Sequence, residues 1–328
     1  MNQKIESIAA VCAAALLGTM ALAVTPVRAQ DYPNKPIRVI VPFATGGMVD
    51  SSARVITDRL GARLGQQVLI ENRGGAAGNV GHDFVAKAAP DGYTLLVAFD
   101  GTMAINPHIY KKMNWDPFKD FAPVTKLNDA TLLLVAHPSF PFNNLRELIA
   151  NAKQAGRLPF GTAGTASTQH VAGELLKQRT GLDLVHVPYK GGGPAIADVV
   201  GGQLTLSYTA IAGGSSFVKA GKLKALGVSS LQRSAALPDV PTFIESGLPG
   251  FAVESWIALF APAGTPRPII DRLQRDVAAV LAQPEVRERY SALGLLPGGG
   301  APEQLAAQMK EDYTRWEKVI REAGIKIE

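Results

Sequence analysis

Short apolar runs alternate with stretches whose apolar positions recur every three or four residues along most of this 328-residue chain. Residues 37–41, 68–70 and 94–99 are apolar without alternation, the pattern of strands covered on both faces of a parallel sheet. Between them Ala53, Ile56, Leu60 and Leu64 recur at helical spacing, and a second helix is expected over 80–88. A second series of apolar runs falls at 131–136, around Phe160, and at 184–188, 204–208 and 223–228. Helical patterns at 169–178 and 194–200 separate them. Near the end Ile269, Ile270, Leu273, Val277, Val280 and Leu281 make one apolar stripe, and 302–323 reads as a long amphipathic helix. The order βαβαβ, met twice, predicts an α/β protein of two doubly wound units.

The N-terminus breaks this pattern. A basic residue in MNQK, a nearly unbroken apolar run over 8–24 and Val27-Arg28-Ala29 together predict a secretory signal peptide over 1–29, cleaved after Ala29. The run is short and alanine-rich for a membrane span. Val11 before Cys12 argues against a lipid anchor, which would want a small residue there. Residues 30–328 then hold no cysteine, so stability must come from a conventional core without disulfides. No later segment is long and apolar enough to span a bilayer, which predicts a soluble periplasmic product. The net charge of +5 falls to about +4 without the two basic and one acidic residues of the signal. Basic residues are scattered singly, which argues against nucleic acid and hints weakly at anionic ligands.

Two short stretches carry the candidate chemistry. PFATGG at Pro42 and PFGTAG at Pro159 agree at Pro, Phe, Thr and the last Gly, and each lies between an apolar strand and an amphipathic helix. At such a junction N–H groups lack intrahelical acceptors and the helix dipole adds positive charge. Glycine lets the backbone approach an anion closely. Gly46-Gly47 and Gly161/Gly164 are therefore candidate cradles for a carboxylate or phosphate, although a tight turn would use the same glycines. Asp50, and likewise Ser167 and Thr168, could simply cap helices. YKGGG at Tyr189 reads as a flexible turn before a phosphate site, and Trp256 as core or an interdomain wall. GxSxG, HExxH, Walker and GxGxxG motifs are missing. Ser167 with His170 could make a nucleophile and base, and His170 with Glu174 two metal ligands, but nothing marks the remaining groups either would need.

The ordered segments YPNKPIRVIVPFATGGMVD, DGYTLLVAF, AINPHIY, FGTAGTASTQHVAGELL, VHVPYKGGGPAIADVVGGQ, KAGKLKALGVSS, LPDVPTFIESGLPGF and LFAPAGTP resemble the Bug-type receptors, solute-binding proteins of tripartite tricarboxylate transporters. The likeness runs from about Tyr32 to the C-terminus. It implies a type II periplasmic-binding-protein (Venus-flytrap) fold: two doubly wound α/β domains joined by two crossing hinge segments. On this reading residues 30–128 plus 254–328 form domain 1 and 129–253 form domain 2. The ligand would lie between the strand-to-helix turns of the two. Carried over by motif, the first wall is Phe43, Ala44, Thr45, Gly46, Gly47 and Asp50. The second is Gly164, Thr165, Ala166, Ser167, Thr168 and His170, with Thr102 beside them. Ligands typical of the family are small carboxylates, including dicarboxylates, acidic amino acids and aromatic acids. Many relatives carry an acid after the strand that here reads LTLSYTAIAGG, where this chain has Thr209, which argues against an α-amino acid ligand. Asp100 reopens that question, since near the cleft it could pair with an ammonium or repel an anion.

The function expected is capture of a small carboxylate, a dicarboxylate or aromatic acid, and its delivery to the integral membrane permease subunits of a tripartite transporter. No enzymatic step, metal or cofactor is implied, and a monomer is expected. A ligand sensor feeding a membrane signalling protein is the alternative, and an exported hydrolase the more distant one.

Overall fold

The computed structural model describes residues 32–325 apart from Ala44, Gly47 and Lys190. The expected signal peptide lies outside the described residues. Strand β1 (Ile37–Val41) leads through the 42–47 loop into α1 (Met48–Leu64), followed by β2 (Val68–Asn72), α2 (Asn79–Ala86) and β3 (Thr94–Phe99). A π-helical turn at Gly101–Ile105 runs into the short α3 (Asn106–Ile109). After β4 (Phe121–Ala136) come α4 (Leu145–Ala150), α5 (Ala152–Ala155), β5 (Arg157–Thr162), α6 (Thr168–Thr180) and β6 (Asp183–Pro188). Then follow α7 (Gly192–Val200), β7 (Leu206–Ala210), α8 (Ile211–Lys219) and β8 (Lys224–Val228). The chain closes with β9 (Glu254–Pro262), α9 (Arg267–Leu281), α10 (Pro284–Ala292), β10 (Leu295–Pro297) and α11 (Pro302–Ala323). Among the described residues no helix is long and apolar enough to cross a membrane.

The strands form a curled mixed sheet in the order β2-β1-β3-β9-β4-β7-β5-β6, with β8 and β10 also pairing to β4. Two halves meet in β4. Its residues from Phe121 to Thr131 pair antiparallel with β9, and Ala130 to Asn128 with β10. From Leu132 to Ala136 it pairs with β7 and β8 instead. The chain passes between the halves a second time on entering β9, where Glu254 faces Thr131. The β1–β2, β1–β3, β5–β6 and β5–β7 pairs are parallel, so each half keeps a doubly wound core of parallel strands.

The strand expected at 131–136 is thus only the second part of a much longer one. The first part, FAPVTKLNDA, hides because its register shifts twice against β9, between Pro123 and Thr125 and between Lys126 and Asn128. Each bulge turns consecutive residues toward the same side, so Val124-Thr125 and Leu127-Asn128 are buried in pairs and no period of two survives. Strand β9 is also hidden from periodicity because nearly all of it is buried. Trp256 lies at its centre, fully buried, with Nε1 donating to Asp312 Oδ2 at 2.7 Å. It is core.

Helix α11 belongs to both halves. Leu305 and Met309 pack with Trp256 and Phe260, while Trp316, Val319 and Ile320 join the cluster built on Leu132, Phe160, Tyr208 and Phe251. Helix α2 presses on the loop after β1: a Cβ at Gly81 would stand 2.7 Å from Pro42 Cβ and 2.9 Å from the Arg73 carbonyl oxygen. Neither neighbour is a flexible side-chain end. Gly81→Ala should therefore cost about 1–3 kcal/mol, seen as a lower urea midpoint at unchanged m-value. An unchanged midpoint would mean that α2 moves away freely.

Candidate functional site

A cavity of about 650 Å³ opens where the carboxyl ends of β1 and β3 face the loops that begin α6, α7 and α8. Phe43, Met48, Val49, Phe99 and Asn106 line it from the first half. The β5–α6 loop contributes Ala163, Thr165, Ala166 and Ser167, and α6 adds Gln169. Gly191, Gly192, Gly193 and Ile196 come from the start of α7, Thr209 and Ala210 from the end of β7, and Ala212, Gly213 and Phe217 from α8. Another hollow, of about 730 Å³, lies at the amino ends of β1 and β2. Open α/β sheets bind ligands at the carboxyl ends, which favours the first.

The loop of the first wall is pinned from behind. Asp50, in the first turn of α1 and only 1% exposed, accepts the Gly46 N–H at 2.8 Å and Asn72 Nδ2 at 2.9 Å. Arg54 adds Nε at 2.8 Å and a second nitrogen at 2.9 Å. Burial alone would raise this carboxyl, but the bonds from Arg54, the Gly46 N–H and Asn72 outweigh it and hold the pKa down at about 2. Asn72 also donates to the Phe43 carbonyl at 2.9 Å, and its Oδ1 accepts the Thr45 hydroxyl at 3.2 Å. Gly46, at φ +85°, can take the turn because it lacks a Cβ. Phe43 is left to face the cavity, edge-on to Phe99 with ring centroids 5.4 Å apart.

The second wall is held by hydroxyls and histidines. Ser167 caps α6: its Oγ accepts the His170 N–H at 3.2 Å and donates to the Gly164 carbonyl at 2.7 Å. Ala166 sits at φ +65°, a costly region for a side-chain-bearing residue. Its N–H donates to His170 Nδ1 at 3.3 Å, which keeps the imidazole proton on Nε2. The His170 ring stacks on His186, centroids 3.6 Å apart, and His186 Nε2 lies 2.7 Å from the Thr162 hydroxyl. Burial lowers both histidines, His170 to about 3 with a further push from His186, and His186 to about 4. Both rings are neutral at pH 7.

Behind the cavity Asp100 joins three elements. From the end of β3 its carboxylate accepts Ser255 Oγ of β9 at 2.6 Å and Thr168 Oγ1 of α6 at 2.9 Å. Burial pushes its pKa up to about 7; the Ser255 and Thr168 bonds oppose this, and Asp312 adds to it.

Residues 52–325 match the tripartite tricarboxylate transporter family receptor. The chain belongs to this family. BugT of Bordetella pertussis is 36% identical over 304 residues, covering 92% of this chain and 93% of its own. Among solved structures, Rpa4515 of R. palustris with adipate superposes with a TM-score of 0.80 at 35% identity, covering 90% of this chain and all of that one. MatC from Rhodopseudomonas palustris with bound malate gives 0.76 at 38% identity, covering 88% of this chain and all of that one. The periplasmic binding protein BugD also superposes, with a TM-score of 0.76 at 36% identity over 90% of this chain and all of that one, in keeping with the two-domain periplasmic-binding-protein fold expected from the sequence.

Of the residues expected to form the site of this receptor, Phe43, Thr165, Ala166 and Ser167 line the cavity. Thr45, Gly46 and Asp50 shape the first loop through their bonds to Asn72 and one another. Gly164, at φ +138°, shapes the second through its carbonyl and its N–H, which donates to Thr162 Oγ1. Thr102 is buried with its hydroxyl on the Phe99 carbonyl at 2.9 Å, and Thr168 and His170 are buried with the partners above. Ala44 and Gly47 lie outside the described residues. Ser167 Oγ and the His170 ring have separate partners, so they do not form a nucleophile–base pair. Lining residues that the sequence reading did not name include Met48, Val49, Gln169, Ile196 and Phe217, and Gly191–Gly193, read there as a flexible turn in preference to a phosphate site, line the cavity too. The departure at Thr209 was a usable signal, because that residue lies in the wall.

Asp50→Ala should cost about 2 kcal/mol of stability, less than a fully buried pair because Arg54 is half exposed. The Asp50 contribution is full above the unfolded pKa of 3.8 and lost as pH falls toward 2. A calorimetric melt of the variant at pH 7 indistinguishable from wild type would show that the loop holds itself.

The histidines act at higher pH. With folded values below the ordinary 6.5, the unfolded chain binds more protons, so their stabilisation is full above 6.5 and lost as pH falls toward 4. Asp100, raised above 3.8, works in the opposite sense between about 4 and 7. The difference between wild type and His186→Phe isolates the histidine part. The variant should lose less stability than wild type between pH 6.5 and 4 in urea titrations, and parallel curves would mean that His186 titrates as in a free chain.

Proposed function

We propose that this chain is a periplasmic receptor that captures a small carboxylate in the interdomain cavity and delivers it to the integral membrane permease subunits of a tripartite transporter. The observation that carries this reading is the convergence of the first turns of α1, α6, α7 and α8 on one cavity whose described lining residues bear no charge. First-turn N–H groups lack intrahelical acceptors, and the helix dipoles favour an anion. Adipate and malate in the related structures support the same ligand class. Direct contacts fall to Phe43 and the start of α1 on one wall and to Thr165, Ala166 and Ser167 on the other. Asp50, Thr102, Thr168 and His170 act by holding those walls. No covalent step is needed.

On this reading residues 30–128 with 254–328 close against 129–253, bending where Thr131 and Glu254 stand opposite each other. Closure follows from ligand binding because each side adds contacts only in the closed state. The chain is exported, cleaved after Ala29 and works as a monomer.

A panel of small carboxylates should contain members that raise the melting temperature, by mass action on the folded state, while their neutral amides do not. The most effective acid should also contract the protein in small-angle scattering. Equal effects of acid and amide would remove the carboxylate reading, and superimposable scattering profiles would remove closure.

A further inference from the structure

The two walls of the cavity differ in a way that bears on the carbon skeleton of the ligand. The first half contributes hydrocarbon: Phe43, Met48, Val49 and Phe99, with the amide of Asn106 nearly buried among them. The second half supplies the side chains with hydrogen-bonding atoms not tied to other described residues, Thr165, Gln169 and Thr209. It also supplies three of the four helix starts. Even there, Ile196 and Phe217 extend the apolar surface across the cavity.

Resting on the carboxylate reading above, we infer that the receptor selects acids with an unsubstituted hydrocarbon body, aliphatic or aromatic, over those bearing a hydroxyl or ammonium on the skeleton. The carboxylate head meets the N–H groups that begin α6, α7 and α8. The body then lies against Phe43, Met48, Val49 and Phe99. A hydroxyl placed there leaves water and meets, among the described side chains of that wall, only the nearly buried Asn106 amide, whereas a CH₂ or CH in its place gains contact along the rest of it. An ammonium fares worse, because no described lining residue is acidic and Asp100 is closed off behind the wall by Ser255 and Thr168.

The test uses calorimetric titration of the ligand-free protein with pairs of acids matched in carboxylate number: phenylacetate and mandelate, succinate and malate, hexanoate and 6-hydroxyhexanoate. In each pair that binds, the unsubstituted acid should bind at least about tenfold tighter, or 1.4 kcal/mol. A hydroxylated member that binds as tightly as its partner in any pair overturns the inference and leaves the carboxylate reading intact. If no acid in any pair binds, both fall. Met48→Gln, which keeps the length of the side chain but adds an amide to the first wall, should reduce the ratio within the best pair to less than about threefold. A ratio unchanged by that substitution would show that the body lies elsewhere and would also overturn the inference.

Discussion

The carboxylate of Asp100 holds the cavity in register. One oxygen is bound by a hydroxyl from β9 and the other by a hydroxyl from α6, so a single side chain ties the two halves of the sheet at the back of the site. The residue before it, Phe99, and the residues on either side of Thr168, Ser167 and Gln169, all line the cavity. Its opposite is Asp50, which is also only 1% exposed but lies less deep in the protein. There, ion pairing and donor bonds overcome burial and depress the carboxyl to about 2, whereas at Asp100 two neutral hydroxyls cannot, and the carboxyl rises to about 7. The same side chain at the same exposure serves as a fixed anchor in one place and as a group near its titration point in the other. The difference is the Arg54 guanidinium with the Gly46 and Asn72 donors at Asp50, against heavier desolvation and the nearby Asp312 carboxylate at Asp100.

Much of the fold was legible because its strands are short apolar runs between helices of regular period. Strand β3 and helix α11 begin and end where the pattern places them. The first part of β4 was not legible, since two bulges erase the alternation and leave a stretch containing Pro123, Lys126 and Asp129 that looks like a loop. At the site, the glycine-bearing loops could be found because a strand, a glycine turn and a helix are consecutive in sequence. Their supports could not. Asn72 holds Phe43 from 29 positions away, and Thr168 meets Asp100 across 68. Nothing local distinguishes such a hydroxyl from one turned toward a ligand. The glycines before α7 were visible as a motif, but only the crossing of β4 between the halves brings them opposite Phe43 and Met48.

Helix α11 makes the two cores depend on each other. Leu305 and Met309 complete one core and Trp316, Val319 and Ile320 the other, and all five stand on a single helix of 22 residues. Without that helix Trp256 would lose its bond to Asp312, and Tyr208 and Phe251 would lose Trp316 from their shared cluster. Neither core is complete without it, so loosening this one helix loosens both halves together.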